Sequence, residues 1–254
     1  MPTPNETYKQ YGQQPFYYVN GLRLSNDATT PLEIINVSAG TILDSSATYQ
    51  LGSTAVMKAD IRLSGLGGLD TGTVAASSVY AVYLVSDPVS AQPSGVMFSL
   101  NQSLPLLPFD YSAYALLGFV TTDSSSHILA GYWSDNDAAR RLFTFDAPII
   151  CLTGGTSGTY AGVALTTFVP AIANLAVTIY SSFTANAAAD VLKMQGYLST
   201  GDAVTIVAPV AGATAHTTSQ NVVLAQLNSG APSIKYTVSA GAVSLYVCGY
   251  TFDL

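Results

Sequence analysis

Charge is scarce in this sequence: Asp, Glu, Lys and Arg make up 9% of its 254 residues, whereas about 25% is usual in soluble domains. The 8 basic residues are outnumbered by 15 acidic ones, which gives a formal net charge of -7. Because phosphate backbones are repelled by such a surface, we expect no nucleic-acid partner. The low charge also predicts that partner proteins cover much of the surface.

The chain lacks a long apolar run, a secretion signal and a cysteine framework. Its longest apolar stretch, Ala171 to Tyr180, falls far short of the roughly 20 residues of a membrane-spanning helix. The polar, proline-containing start from Met1 to Thr7 does not match a signal peptide, so we expect neither export nor membrane insertion. Cys151 and Cys248 lie in apolar β-like runs, where buried thiols are expected. The sequence leaves open whether they pair.

Short runs of β-branched and aromatic residues, bounded by Gly, Pro, Asn, Asp or Ser, predict an all-β fold. One run, Val79–Val85, has few polar residues on either face and predicts a strand covered on both sides. Ala185–Met194 is the one stretch with helix propensity, and a loop is the alternative. The predicted strands are Phe16–Val19, Glu33–Val37, Val56–Leu63, Val79–Val85, Ala115–Val120, Val163–Val169, Ala176–Phe183, Val204–Val207, Val222–Gln226, Ser233–Val238 and Val243–Tyr250.

Composition changes at Pro148: aromatic residues become rarer, and Ala, Thr, Val and Gly dominate. We therefore predict an extended arm over residues 1–14, a β domain over 15–147 and a second β domain over 148–254. The number of strands in the second domain predicts a β-sandwich or jelly roll. Around Gly241 the pattern predicts a hairpin, after which Tyr246, Cys248 and Tyr250 share one strand face.

Candidate catalytic residues are few. Asp70-Thr71-Gly72 is the triplet of an aspartic protease, but its single copy would need a dimer to pair two carboxylates. The glycine-rich residues before it favour a turn, in which Asp70 caps backbone amides and Gly72 has a positive φ. A tailspike hydrolase would need two carboxylates held close together in a cleft, and the sequence shows no convincing pair of this kind. We expect no enzymatic activity and no cofactor.

Candidate metal ligands are isolated. His127 and His216 lie in small-residue loops without neighbouring ligands. Asp135 and Asp137 place oxygen ligands two residues apart, but no bidentate acid follows them, so we predict no metal site. The pair Arg140-Arg141 is too small for a polyanion site, and a surface salt bridge explains it.

Tyrosine is abundant, with 16 residues. Together with Trp133, the tyrosines suggest either a sugar-binding platform or packing in the core and at interfaces. Strand placement favours packing.

The order of several motifs resembles structural proteins of tailed bacteriophages, namely head fibres, decoration proteins and tail fibres. Arginines that often precede the Gly118 strand in such proteins are replaced here by Ala113–Leu117, so this strand departs from the pattern. The matching segments are Phe16–Leu22, Val37–Ser46, Gly68–Gly72, Tyr80 with Tyr83, Leu104–Pro108, Gly118–Asp123, Tyr236–Val238 and Leu245–Tyr250.

This resemblance implies a virion structural protein that assembles in the bacterial host cytoplasm. A capsid decoration (cement) or head-fibre protein bound to the major capsid protein is the first hypothesis. A tail or collar fibre that recognises a host-surface glycan is the alternative. The resemblance also implies a homotrimer, with the second domain as the trimerising domain.

The N-terminal arm and the residues that follow it are the candidate partner-binding site. Their aromatic side chains combine large apolar rings with polar tips, a type that dominates interface energetics. Prolines stiffen such an arm and lower the entropy lost on binding. The candidate residues are Tyr8, Tyr11, Phe16, Tyr17 and Tyr18.

Overall fold

The computed structural model describes residues 19–90, 92–137, 140–172, 175–201, 204–208, 215–228 and 230–253. Within these ranges every regular element is a β-strand, and the paired strands of every sheet run antiparallel. The predicted all-β fold is therefore confirmed.

The chain divides into two compact units, Met1–Leu142 with Asp253–Leu254, and Phe143–Phe252. We call them the first and the second unit. Strand β11 (Arg140–Gly155) begins in the first unit and continues through Pro148. The predicted boundary between residues 147 and 148 thus falls inside a strand, and independent folding of 15–147 and 148–254 stays a prediction.

The first unit contains three antiparallel sheets, ordered β1-β4-β5, β8-β7-β9 and β6-β3-β2-β10. All eight residues of β7 are buried, so this strand is covered on both faces as its sequence predicts. The strands are β1 Val19–Gly21, β2 Leu24–Asn26, β3 Ile34–Val37, β4 Gly40–Leu43, β5 Gln50–Ser53, β6 Met57–Asp60, β7 Val79–Ser86, β8 Gly95–Ser99, β9 Ala113–Thr121 and β10 Gly131–Asp137.

Arg141 is buried in the first unit, with 2% of its surface exposed. Its guanidinium donates to the carbonyl oxygens of Leu22 and Leu117 through Nη1, and to that of Gly21 through Nη2 at 3.1 Å. The neighbouring Arg140 forms an exposed ion pair with Asp253 at 3.0 Å. The expectation of a surface salt bridge is therefore confirmed for Arg140 and wrong for Arg141, which ties β9 to the turn after β1.

The second unit is an eight-stranded jelly roll. Its two sheets are ordered β11-β18-β13-β16 and β12-β17-β14-β15, and they are joined where the end of β16 pairs with the start of β17. The chain alternates between them at each step except β14 to β15, and this winding defines the jelly roll. Besides β11, the strands are β12 Ala161–Ala164, β13 Leu175–Ala185, β14 Val191–Gly196, β15 Val204–Val207, β16 Ala215–Asn228, β17 Ala231–Val238 and β18 Ala242–Asp253.

For the second unit, one open alternative is settled in favour of a loop, and one local prediction is wrong. The segment with helix propensity forms a turn followed by strand β14, because Asp190 Oδ2 accepts hydrogen bonds from the amides of Asn186 and Ala187 at 2.8 and 2.7 Å. This side chain closes a turn around the alanines that a helix would need. The chain does reverse at Gly241 with φ +86°. However, β17 and β18 pair in different sheets, so the reversal is a corner and not a hairpin.

A β-bulge in β18 changes which side chains face the core. The register with β13 pairs Ile179 with Val247 and Thr178 with Gly249, so Cys248 is the extra residue. Before the bulge Tyr246 lies on the outer face beside Tyr180, with ring centroids 5.4 Å apart. After it Tyr250 is fully buried. The prediction that Tyr246 and Tyr250 share a face is therefore wrong.

Candidate functional site

One exposed surface of the second unit is the outer face of β16, β13 and β18. In β13 the side chains from Leu175 to Ala185 alternate strictly between buried and half-buried, so every second residue points outward. Register pairing places the outward residues of the two neighbouring strands beside them. We call this surface the neutral face; it comprises Ala176, Thr178, Tyr180, Ser182 and Thr184 of β13, Val222 and Leu224 of β16, and Ala242, Ser244 and Tyr246 of β18.

Among its described side chains, the neutral face is apolar at one side and carries no ionic group. Val222 is 62% exposed and Leu224 is 47% exposed. Strands β13 and β16 contain no Asp, Glu, Lys or Arg, and β18 has only Asp253, at its end. Covering the described side chains of this face therefore requires no desolvation of a charged group, which is the main penalty in burying polar surfaces.

A second exposed surface, in the first unit, is the segment from Leu100 to Phe109, which we call the proline ridge. Four of its apolar side chains are exposed: Leu100 by 52%, Leu104 by 55%, Leu106 by 62% and Phe109 by 90%. The intervening Pro105 is buried, and a proline ring restricts φ. The segment thus presents apolar groups on a stiffened backbone.

Asp70 holds this ridge in place. Its Oδ2 accepts a hydrogen bond from the amide of Leu106 at 2.9 Å, and Gly72 has φ +74°. These are the two features that the turn interpretation of Asp70-Thr71-Gly72 predicts, and the carboxylate serves as a clamp on backbone. Protease activity itself is not tested by this geometry.

Both cysteines, Cys151 and Cys248, are free thiols. Burial raises the pKa of Cys151 to about 12 and also raises the pKa of Cys248. Both groups are therefore protonated near neutral pH, and a protonated thiol is a poor nucleophile. They pack as small apolar side chains, as the sequence predicts.

The aromatic residues of the first unit are mostly core residues. Trp133 is 5% exposed, and its Nε1 donates to the carbonyl oxygen of Phe119 at 3.2 Å. Tyr80 and Tyr83 are buried in β7. Trp133 therefore does not offer a ring to a ligand, but its neighbour Tyr132 is 67% exposed.

Several predicted residues lie outside the described part of the chain. The partner-binding residues Tyr8, Tyr11, Phe16, Tyr17 and Tyr18 all precede residue 19, so their role stays a prediction. The side chains of His216, Asp135 and Asp137 also lie outside it. His127 is in a loop, 3.7 Å from Asp123 and 45% exposed. Among described residues, no three His, Cys, Asp or Glu side chains cluster as metal ligands, and no helix long and apolar enough to span a membrane is found.

No protein-family model matches the chain, and no curated protein matches it in sequence. Its structure is weakly similar to a carbohydrate-binding module and to viral capsid proteins. The module, CBM6cm-2 of Cellvibrio mixtus lichenase 5A in complex with cellotriose, has 14% identity and a TM-score of 0.23 over 48% of this chain and 85% of its own. The VP2 subviral particle of infectious bursal disease virus has 13% identity and a TM-score of 0.21, and the match covers 92% of this chain and 69% of the VP2 chain. The jelly-roll assignment rests on strand order alone.

The exposed residues of the neutral face and the proline ridge were not predicted as site residues. Val222 and Leu224 alternate with buried Val223 and Ala225, so their apolar character alone does not distinguish core from surface. The sequence signal that could have identified this face is the absence of charged residues along all of β13 and β16. A strand face that is exposed to water normally carries charged side chains.

Proposed function

We propose that this protein is a structural subunit of a tailed-bacteriophage particle, a capsid decoration or head-fibre protein that assembles in the host cytoplasm and has no catalytic activity. The neutral face is the main support for this proposal, because its uncharged and partly apolar side chains suit burial against another protein. The order of motifs along the sequence supplies the phage assignment. The proline ridge adds a second apolar contact surface.

The occupant proposed for the neutral face is a second copy of the same chain. Copies with a net charge of -7 repel one another, so they associate best where their contact surface holds no charge. An interface between copies also repeats by symmetry, which allows a closed ring. The homotrimer follows from the resemblance, and the major capsid protein is the proposed partner of the rest of the surface.

A lysine at the centre of the neutral face is expected to break this assembly. Thr178 lies between Val222 and Gly249 in register, so Thr178→Lys would bury one ammonium per subunit. Such a penalty of several kcal/mol weakens association by a factor of about 100 or more. Sedimentation velocity at micromolar concentration should show a trimer for the parent protein and a monomer for the variant.

The matched control is Thr166→Lys, at an exposed turn position of the same unit, which should leave the trimer intact. A parent protein that sediments as a monomer would overturn the proposed assembly. A Thr178→Lys variant that stays trimeric would show that the copies meet at another surface.

The arm is the proposed anchor on the shell. Deleting the residues before Gln14 is expected to leave both units folded but to prevent incorporation into particles, because the deletion removes Tyr8 and Tyr11. Occupancy on purified particles, measured by quantitative mass spectrometry, checks this. Molar salt should not strip the intact protein, because the contacts are mostly uncharged. Full occupancy of the truncated protein would place the docking surface on the folded units.

A further inference from the structure

The outer face of the β6-β3-β2-β10 sheet in the first unit forms a groove of about 570 Å³, a volume typical of small-ligand sites. Register pairing places Tyr132, Ser25, Asn36 and Lys58 in one row across the four strands. With strands about 4.8 Å apart, Tyr132 and Asn36 lie roughly 10 Å from each other along this row. Arg23, Ser38 and Ser134 line a second row.

The strand alternation explains why this face is polar. The residues between the outward ones, among them Leu24, Ile35 and Val37, are buried, so they supply the core side of the sheet. The outward side chains therefore present hydroxyl, amide, ammonium or guanidinium groups to solvent. On the outward side the apolar contributions are Val56, 62% exposed, and the ring of Tyr132, 67% exposed.

Asn36 is one of the polar residues that line the groove. Its amide nitrogen donates to the carboxylate of Asp27, which accepts only, so the orientation of the amide is set. Its Oδ1 is buried and has no hydrogen-bond partner among the described residues. Because this oxygen has no accessible surface, it is a cost to the fold and not a group that a ligand in the groove can reach.

Asp27 makes this arrangement rigid. Its Oδ2 lies 2.7 Å from Lys58 Nζ, and its Oδ1 accepts from the amides of Thr29 and Thr30 at 2.9 and 3.1 Å. The Lys58 ammonium and these hydrogen bonds hold the pKa of Asp27 well below its usual range. The carboxylate and the ammonium at this end of the row are therefore matched. Among the described residues that line the groove, Arg23 is the ionic one.

We propose that this groove binds a neutral oligosaccharide of hexopyranose units. The exposed face of Tyr132 offers a stacking surface to the C–H face of a sugar ring. Hydroxyls of the sugar would exchange hydrogen bonds with Ser25 and Ser134 and accept from the Arg23 guanidinium. The described residues that line the groove include no carboxylate and few other acceptors, which argues against a cationic ligand. This proposal does not depend on the proposed assembly through the neutral face.

Titration of the purified protein with maltotriose, lactose and chitotriose, followed by NMR of the protein, tests the proposal. At least one sugar should bind with a Kd of about 1 mM or below. Tyr132→Ala should weaken that binding by about tenfold, whereas Tyr132→Phe, which keeps the ring, should retain it. Ser25→Tyr, which fills the groove from an exposed position, should abolish it.

The matched control is Phe109→Ala, which removes a 90% exposed ring from the proline ridge and should leave sugar binding unchanged. Thermal unfolding of each variant verifies that the fold is retained. Absence of binding by all three sugars at about 10 mM, well above the expected Kd, overturns the proposal. So does binding that persists in both Tyr132→Ala and Ser25→Tyr, or binding of 3′-sialyllactose when lactose is inactive, which would indicate an anion site at Arg23.

Discussion

Replacing Arg141 by alanine is expected to lower the free energy of unfolding of the first unit by about 3–5 kcal/mol. The substitution removes the donor for the carbonyl oxygens of Gly21, Leu22 and Leu117. It leaves these groups in a space that the buried guanidinium filled. Urea unfolding followed by the fluorescence of Trp133, the single tryptophan of the chain, reports on this unit specifically.

Two further substitutions separate the role of the guanidinium from that of its charge. Arg141→Lys keeps the charge but cannot reproduce the planar set of donors, so most of the loss should remain. Arg140→Ala removes only the exposed pair with Asp253, and a change within about 1 kcal/mol is expected. Equal losses for Arg140→Ala and Arg141→Ala would contradict the assigned role of Arg141.

The second unit is expected to lose stability as pH rises above about 9. In the unfolded chain Cys151 ionises near its ordinary pKa of 9.0, whereas burial in the folded unit raises that pKa to about 12. Between these values the folded state holds more protons than the unfolded state, so rising pH favours unfolding, by up to about 1.4 kcal/mol per pH unit for each such group. Burial raises the pKa of Tyr250 in the same direction.

The thiols themselves provide the measurement, since both cysteines belong to the second unit. The rate at which a disulfide reagent traps them in the folded protein, corrected for the pH dependence of an unfolded control, should rise steeply between pH 8 and 11. A corrected rate that stays constant over this range would contradict the prediction.

Tyr250→Phe is the informative variant for this pH dependence. The Tyr250 hydroxyl is buried and has no hydrogen-bond partner among the described residues, so its removal should stabilise the second unit by about 1 kcal/mol at neutral pH. The ring contacts with Phe143, Phe145 and Phe252 are retained. The variant should also lose less stability at alkaline pH than the parent protein.

Strands with a strong local pattern were predictable from the sequence. Val204–Val207 matches β15 residue for residue, and Val79–Val85 lies within β7, because β-branched and aromatic residues define these strands without reference to their partners. Strands β2 and β4, of three and four residues, were missed. Their pairing depends on distant segments, which a local pattern does not contain.

The candidate surfaces were predictable only in part. Low charge predicts surfaces that other proteins cover, but strand order is needed to bring the uncharged strands β13, β16 and β18 side by side. The sequence offered the tyrosines with Trp133 as a sugar platform or as packing residues and favoured packing; strand alternation buries Trp133 and exposes Tyr132. A shift of one residue along a strand exchanges core for surface, and composition alone does not determine it.

The bulge at Cys248 has an evolutionary consequence. Because one unpaired residue separates the outward Tyr246 from the buried Tyr250, losing or gaining a single residue in the middle of β18 would move every later side chain to the opposite face. Insertions and deletions should therefore accumulate in the loops of the jelly roll. Length variants within this strand should survive selection only where a second change restores the original alternation.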